Sequence, residues 1–437
     1  MSSPSTPQAV PASRPLPGAG VDRGRPREGD GLARAGIVLG IASLPVLIPK
    51  FANNLAPADL GLVVGIAMVL LWAGSTRQPL RLPYAAGMGL MVIAGTLSAL
   101  FGALPWQGAI TVVQDLYLLA WAAALANFGR TAAAARFLVR AWCLSATVWA
   151  VVLVAVYGPA VITGGADTER AGFTFGEQNA AGLYFALSLM VVLAARCPRR
   201  RLWRAVAILS LLLGLALSGS LGALSGLLAG LAAALVLGVR ARRGPDTAIA
   251  LSLALLLGVG SMGLLAVRSD LIQAASVSSN TLIRNSIGRG ADSSSERTRL
   301  AEETLGLWGT SGVLGRGPVT TEHTLRQELA PYPHEAHNDW VAALIERGVL
   351  GMAGLLLLVL EIFLLTVAIW NPVRLRAGFA AALPAPAYVV GAVVAVAVYS
   401  LTHEALHERP LWTLLGLLAA FGLWGRPNRW TRRGESA

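Results

Sequence analysis

GVLGMAGLLLLVLEIFLLTVAIW, residues 348–370, runs for 23 residues with a single charge, Glu361. A helix needs about 20 mostly apolar residues to cross the roughly 30 Å hydrocarbon layer of a bilayer. This run has that length and carries no polar stripe of helical period. Eleven more apolar runs accompany it, near 34–50, 57–74, 83–101, 107–126, 134–162, 179–196, 203–218, 220–239, 248–267, 386–402 and 410–425. The least certain division, 203–239, is interrupted by Ser218, Gly219, Ser220 and Gly222 and reads as two short helices joined by a tight turn. Composition agrees: 55% of the 437 residues are hydrophobic and 13% charged, against roughly 25% charged in a soluble domain. The expected fold is an all-α integral membrane protein with about twelve transmembrane helices and one long extracytoplasmic loop between spans nine and ten.

The net charge of +12 does not point to nucleic acid, which calls for Lys and Arg clustered on one soluble face. Here the charges punctuate apolar runs, and Lys50 is the one lysine. With the N-terminus inside, basic residues fall in every second connection, as the positive-inside rule requires: Arg77 and Arg81; Arg130, Arg136 and Arg140; Arg196 to Arg204; Arg240 to Arg243; Arg374 and Arg376. Twelve spans with both termini cytoplasmic satisfy this alternation, and a single helix over 203–239 would break it. The expected organisation is a disordered cytoplasmic tail (1–33), spans one to nine (34–267), an extracytoplasmic loop with amphipathic helices (268–347), spans ten to twelve (348–425) and a cytoplasmic tail (426–437). Residues 1–33 are rich in Pro, Gly, Ser and Arg and read as a tail rather than a signal peptide. Cys143 and Cys197 lie in or beside apolar runs, which disfavours an exported disulfide.

A loop of some seventy residues in so economical a chain is usually functional. It contains Ser293-Ser-Ser-Glu296-Arg297-Thr-Arg299, the turn Gly315-Arg316-Gly317-Pro318, and His334-Glu-Ala-His337-Asn338-Asp339-Trp340, followed by Glu346-Arg347-Gly348-Val349-Leu350-Gly351. Residues 296–308 look helical, and 337–347 read as an amphipathic helix leading into span ten. These residues, in this order before an apolar helix, resemble the large outer loop of the O-antigen ligase superfamily. Arg170-Ala-Gly172-Phe-Thr-Phe175-Gly-Glu-Gln-Asn179 looks like the family's outer segment before span six, and the twelve-span layout with a loop between spans nine and ten is also the family's.

The resemblance implies transfer of a glycan from a polyprenyl diphosphate carrier to an acceptor hydroxyl of a glycan or glycolipid. The transfer takes place at the outer face of the cytoplasmic membrane, with inversion and without metal, cofactor or nucleotide sugar. His337 would take the acceptor proton, since imidazole titrates near neutral pH. Arg297 would bind the diphosphate, because guanidinium stays charged and grips phosphate oxygens bidentately; Arg299 and Arg170 are further diphosphate candidates. His334, Asn338, Arg316 and Asn179 are expected as substrate contacts or supports. The donor's lipid tail would lie between helices, with its diphosphate beneath the loop. One position departs from the family: an arginine usual in the outer turn between spans seven and eight is replaced here, where the chain reads Ser218-Gly219-Ser220-Leu221-Gly222.

Other readings stay open. A ligase and a repeat-unit polymerase share these motifs. His337 and Asn338 on an amphipathic helix suit capping and interfacial anchoring as well as catalysis. His403 and His407, four apart, would share one face of a helix, a spacing that suits a metal pair, interfacial structure or contact with the acceptor. Asp115 and Glu361, ionisable residues inside spans four and ten, are costly there; they fit either polar pairing between helices or the midplane site of a transporter or flippase.

Overall fold

The computed structural model describes residues 30–49, 55–162, 172–268, 271–278, 283–284, 288, 299–300, 302–328 and 338–427. All twelve apolar runs appear as helices: α1 (Asp30–Ser43), α2 (Pro57–Ser75), α3 (Ala85–Phe101), α4 (Pro105–Phe128), α5 (Ala132–Ile162), α6 (Gln178–Ala195), α7 (Arg201–Ser218), α8 (Leu221–Arg243) and α9 (Pro245–Arg268), then α13 (Asp339–Ile369), α15 (Ala387–Tyr399) and α16 (Arg409–Trp424). Short helices α10 (Leu271–Ser276), α11 (Trp308–Ser311) and α12 (Thr321–Gln327) lie in the long loop, and α14 (Ala377–Ala382) follows α13. Among the described residues there is no strand. Among the described residues seven helices, α2, α4, α5, α6, α7, α8 and α13, are long and apolar enough to cross a membrane, while α3, α9, α15 and α16 are shorter apolar helices.

Burial sorts the helices into a centre and a lipid-facing ring. Every residue of α6 from Ala180 to Val192 and of α16 from Arg409 to Gly422 is buried. By contrast Leu253, Leu256 and Leu257 of α9 and Leu356, Phe363 and Leu364 of α13 are exposed. Leucine and phenylalanine facing outward along whole helices are stable only against hydrocarbon, so the surrounding solvent is lipid. Between such helices there is no hydrophobic driving force, and small residues let backbones approach. A Cβ added to Gly391 of α15 would lie 2.3 Å from the Gly230 carbonyl of α8, and one added to Gly87 of α3 would lie 2.4 Å from the Leu358 nitrogen of α13. Indoles supply polar links across the bundle: Trp121 Nε1 donates to Thr413 Oγ1 (2.9 Å) and Trp142 Nε1 to Ser188 Oγ (2.9 Å).

The long apolar stretch after Arg201 is two helices. Ser218 ends α7, Gly219 turns with φ +59°, and the Ser220 hydroxyl caps α8 by accepting from the Ala223 N–H (3.3 Å).

The connections gather at two opposite ends. At one, Leu47 and Ile48 donate to the Thr174 carbonyl, Gly102 lies against the Arg316 carbonyl, and the start of α13 meets the α15–α16 connection. At the other, Arg81 and Arg130 stack over Trp424, Arg240 and Arg374 flank Trp370, and Arg376 donates to the Gly425 carbonyl. The arginine-rich end thus lies opposite the long loop.

Candidate functional site at the loop end of the bundle

Within the loop, residues 299–300 and 302–306 are helical. Leu300, Leu307 and Leu325 bury themselves against Ile345, with Val341 beside them. The loop therefore has its own small apolar core, seated on the first two turns of α13. That part of α13 is a separate short helix, because Gly348 departs from helical geometry (φ +66°, ψ −163°) before the chain re-enters the long apolar run.

The turn Gly315-Arg316-Gly317 is what Gly348 accommodates. The Arg316 N–H donates to the Ile345 carbonyl and Gly317 to Glu346 (2.9 Å each), while Val349 donates to Val313 (3.0 Å). Gly315 and Gly317 also have positive φ, +79° and +107°. A Cβ on Gly348 would sit 2.0 Å from the Val313 oxygen. The two glycine motifs seen in the sequence are halves of one backbone crossing. Glu346 locks it, accepting from the Val319 N–H (2.9 Å) and the Thr321 hydroxyl (2.7 Å).

Asn338 is the N-cap of this short helix: its Oδ1 accepts from Trp340 and Val341 (2.9 and 3.2 Å), and its Nδ2 donates to the Leu401 carbonyl (2.9 Å). The Asp339 carboxylate accepts from the Ala405 and Leu406 N–H groups (2.9 and 3.2 Å). The first turn of α13 is thereby tied to the connection between α15 and α16.

Beneath it lies a buried charge cluster. Arg347 Nη1 is 2.6 Å from Asp115 Oδ2, both side chains almost wholly enclosed. His407 Nε2 lies 3.5 Å from Asp115 Oδ1, and its Nδ1 is 3.9 Å from Glu404 Oε2. Burial alone would lower the His407 pKa, but hydrogen bonding to Asp115 and Glu404, together with their charges, outweighs burial and pushes the imidazole up to about 10. His407 is a cation at neutral pH, unsuited to act as a base. Removing one partner of such a buried pair costs about 3–5 kcal/mol, because the other charge is stranded. A cavity of about 30 Å³, the size for a water molecule, opens beside the cluster between Val319, Asp339, Glu346, Arg347, Glu404 and His407.

Residues 205–356 match the family described as O-antigen ligase. The match covers about a third of the chain and supports its likeness to the O-antigen ligase superfamily over that stretch. No curated protein matches the chain. The matched segment runs from α7 through the long loop to the first turns of the α13 apolar run. It contains Arg347 but not Asp115 or His407, so tertiary structure ties it to α4 and to the α15–α16 connection.

Of the residues expected at the site, Asn338 caps the start of the short helix of α13, and the Arg316 backbone bonds to Ile345 near that helix's other end. Arg316 also donates through Nε to Ser311 Oγ (3.2 Å) and pairs with Glu328 (3.3 Å). Arg299 is exposed at the loop helix. Asn179 lies, partly buried, in the first turn of α6. His337, His334, Arg297 and Arg170 lie outside the described residues.

Three details correct or complete the sequence reading. Residues 400–408 form turns, not a helix, so His403 and His407 do not share a helical face. His403 instead stacks on Tyr399 (4.4 Å between centroids, 11° between planes) and packs against Gly222, just after the Ser218–Leu221 turn. Glu361 accepts from the Gly87 N–H (3.1 Å) at the start of α3, where free N–H groups and the helix dipole favour a carboxylate; both intramembrane carboxylates are thus paired between helices. The pair between Asp59 and Arg409 escaped sequence reasoning. Arg409 grips Asp59 through Nε and Nη2 (2.7 and 2.9 Å), and Tyr117 donates to the same carboxylate (2.7 Å). Its only sequence signal was one charge at the edge of each of two distant apolar runs.

Proposed function

We propose that the protein is a multi-pass glycosyltransferase of the cytoplasmic membrane, with twelve spans, both termini cytoplasmic and the long loop outside. It moves a glycan from a polyprenyl diphosphate carrier to a hydroxyl of a glycan or glycolipid acceptor. The observation that carries this reading is the match of residues 205–356 to the O-antigen ligase family, a stretch that contains His334, His337 and Arg297. The arginines gathered at the end opposite the loop support the orientation.

In this mechanism His337 removes the acceptor proton, the acceptor oxygen bonds to the anomeric carbon, and the bond to the diphosphate breaks with inversion. Arg297 holds the departing diphosphate, with Arg299 and Arg170 as further cationic contacts. Asn338, next in the chain to His337, contributes position: its side chain fixes both the helix start and the 401 carbonyl. His334, Arg316 and Asn179 are assigned to the surrounding substrate contacts.

The test is transfer from a purified polyprenyl-diphosphate-linked glycan in membranes of matched expression, with no metal added. His337→Ala is expected to lower turnover by about 10²- to 10⁴-fold with donor binding retained, and Arg297→Ala to weaken donor binding as well. Full activity of the histidine variant removes His337 as the base.

A further inference from the structure

Between α13 and α15 the bundle is open. Each packs closely on another partner, α13 on α3 and α15 on α8, and the gap between them is a groove of about 550 Å³ backed by Leu411 and Leu415 of α16. Its walls are aliphatic and aromatic, with Leu358, Ile362 and Phe363 on one side and Val390, Val393 and Val394 on the other. From Leu355 to Trp370 it follows α13 for roughly 22 Å at 1.5 Å per residue, more than one leaflet's share of the hydrocarbon. Left empty, such a groove forfeits dispersion contacts along its length, so a hydrocarbon chain is its natural filling.

The two ends of the groove differ in charge, and that difference selects the head group. At the loop end stands Asp339: burial pushes its carboxyl up to about 7 and its oxygens accept from the Ala405 and Leu406 N–H groups, so that end offers no cation to a head group. At the other end Arg240 and Arg374 flank the Trp370 ring, their guanidinium carbons 5.3 and 5.6 Å from its centroid. Both arginines are exposed. Arg374 donates to the Val367 carbonyl (3.4 Å), and among the described residues neither arginine pairs with a carboxylate. Two guanidiniums over one indole at the mouth of an apolar groove suit a phosphodiester, whose oxygens accept from planar donors. An ammonium head group would meet two like charges there.

We propose that the groove between α13 and α15 binds an anionic phospholipid, with one acyl chain in the groove and its phosphate between Arg240 and Arg374. The head-group end of this site lies at the end of the bundle opposite the loop; the groove itself reaches Asp339 and Trp340 beside the loop, but the proposed phosphate contacts, Arg240 and Arg374, are not among the residues assigned to chemistry.

The experiment uses the full-length protein in detergent, with phosphatidylglycerol, phosphatidylcholine, inorganic phosphate and undecaprenyl phosphate as separate probes, read by native mass spectrometry and by melting temperature. Phosphatidylglycerol is expected to be retained and to raise the melting temperature; phosphatidylcholine and inorganic phosphate are expected to do neither. The variant Arg240→Gln/Arg374→Gln, altered at two exposed positions, should fold and lose affinity for phosphatidylglycerol by about tenfold or more. Val393→Trp, which fills the groove, should reduce retention with both arginines in place. Equal retention of the two phospholipids, or unchanged phosphatidylglycerol binding in the double-arginine variant, overturns the proposal. Retention of undecaprenyl phosphate through these arginines to the exclusion of phosphatidylglycerol also overturns it, by assigning the groove to the carrier.

Discussion

His407 sits between two carboxylates, Asp115 and Glu404, with the Arg347 guanidinium on the far side of Asp115. Its folded pKa of about 10 lies above the ordinary value of 6.5. The stabilisation is therefore fully present below about pH 6.5 and is lost as pH rises through about 10. The melting temperature of the purified protein should fall over that alkaline interval, whereas His407→Gln should start lower and stay flat across it. The same alkaline decline in wild type and variant would remove His407 as its source. At this scale the sequence marked Asp115 and Glu361 as charges too costly to leave alone inside apolar runs. It did not name their partners. Asp115 meets an arginine more than two hundred residues away, and Glu361 meets backbone N–H groups that have no sequence signature.

At the scale of elements, punctuation was legible where local chemistry dictates it. Ser218-Gly219-Ser220 ends one helix and caps the next, and the polar periodicity before Gly348 marks a short amphipathic helix distinct from the long apolar run. Why residue 348 must be glycine was not legible, because the 313–317 turn that presses on it is some thirty residues upstream. Gly348→Ala should lose about 1–3 kcal/mol from backbone conformation alone, and more as Val313 is forced away. Gly238→Ala, in α8 where an added Cβ meets nothing within 4 Å, should be neutral or slightly stabilising. Thermal unfolding of the two variants decides the matter, and equal stability would mean that the crossing at Gly348 is not a fixed feature. The expected helical face for His403 and His407 failed for a related reason. Four-residue spacing means a shared face only inside a helix, and this segment forms turns that carry Asp339 and wrap the first turn of α13.

At the scale of the molecule, the proposed twelve-span arrangement places the connection between α6 and α7 in the cytoplasm. Cys197 reports on it. Cys143 is buried while Cys197 is only half-buried, and a hydrogen bond with Cys143, reinforced by Arg140 and Arg199, pulls the Cys197 thiol down to about 7. A membrane-impermeant maleimide should label Cys197 quickly near pH 8 in inside-out vesicles and leave it untouched in intact cells. Labelling from outside would reverse the orientation.

The sequence by itself determined the all-helical membrane class, the twelve apolar segments, the break at Gly219 and the loop motifs. Each of these follows from local composition and period: the bilayer demands a minimum apolar length and satisfied backbone hydrogen bonds within every segment. Tertiary structure alone decided which charges neutralise one another, that the two glycine motifs cross, that α6 and α16 form the centre, and where a lipid-sized groove opens. Those outcomes rest on contacts between residues far apart in the chain. In lipid, where burial of apolar surface does not rank one helix pairing over another, close backbone approach and buried polar pairs make the choice.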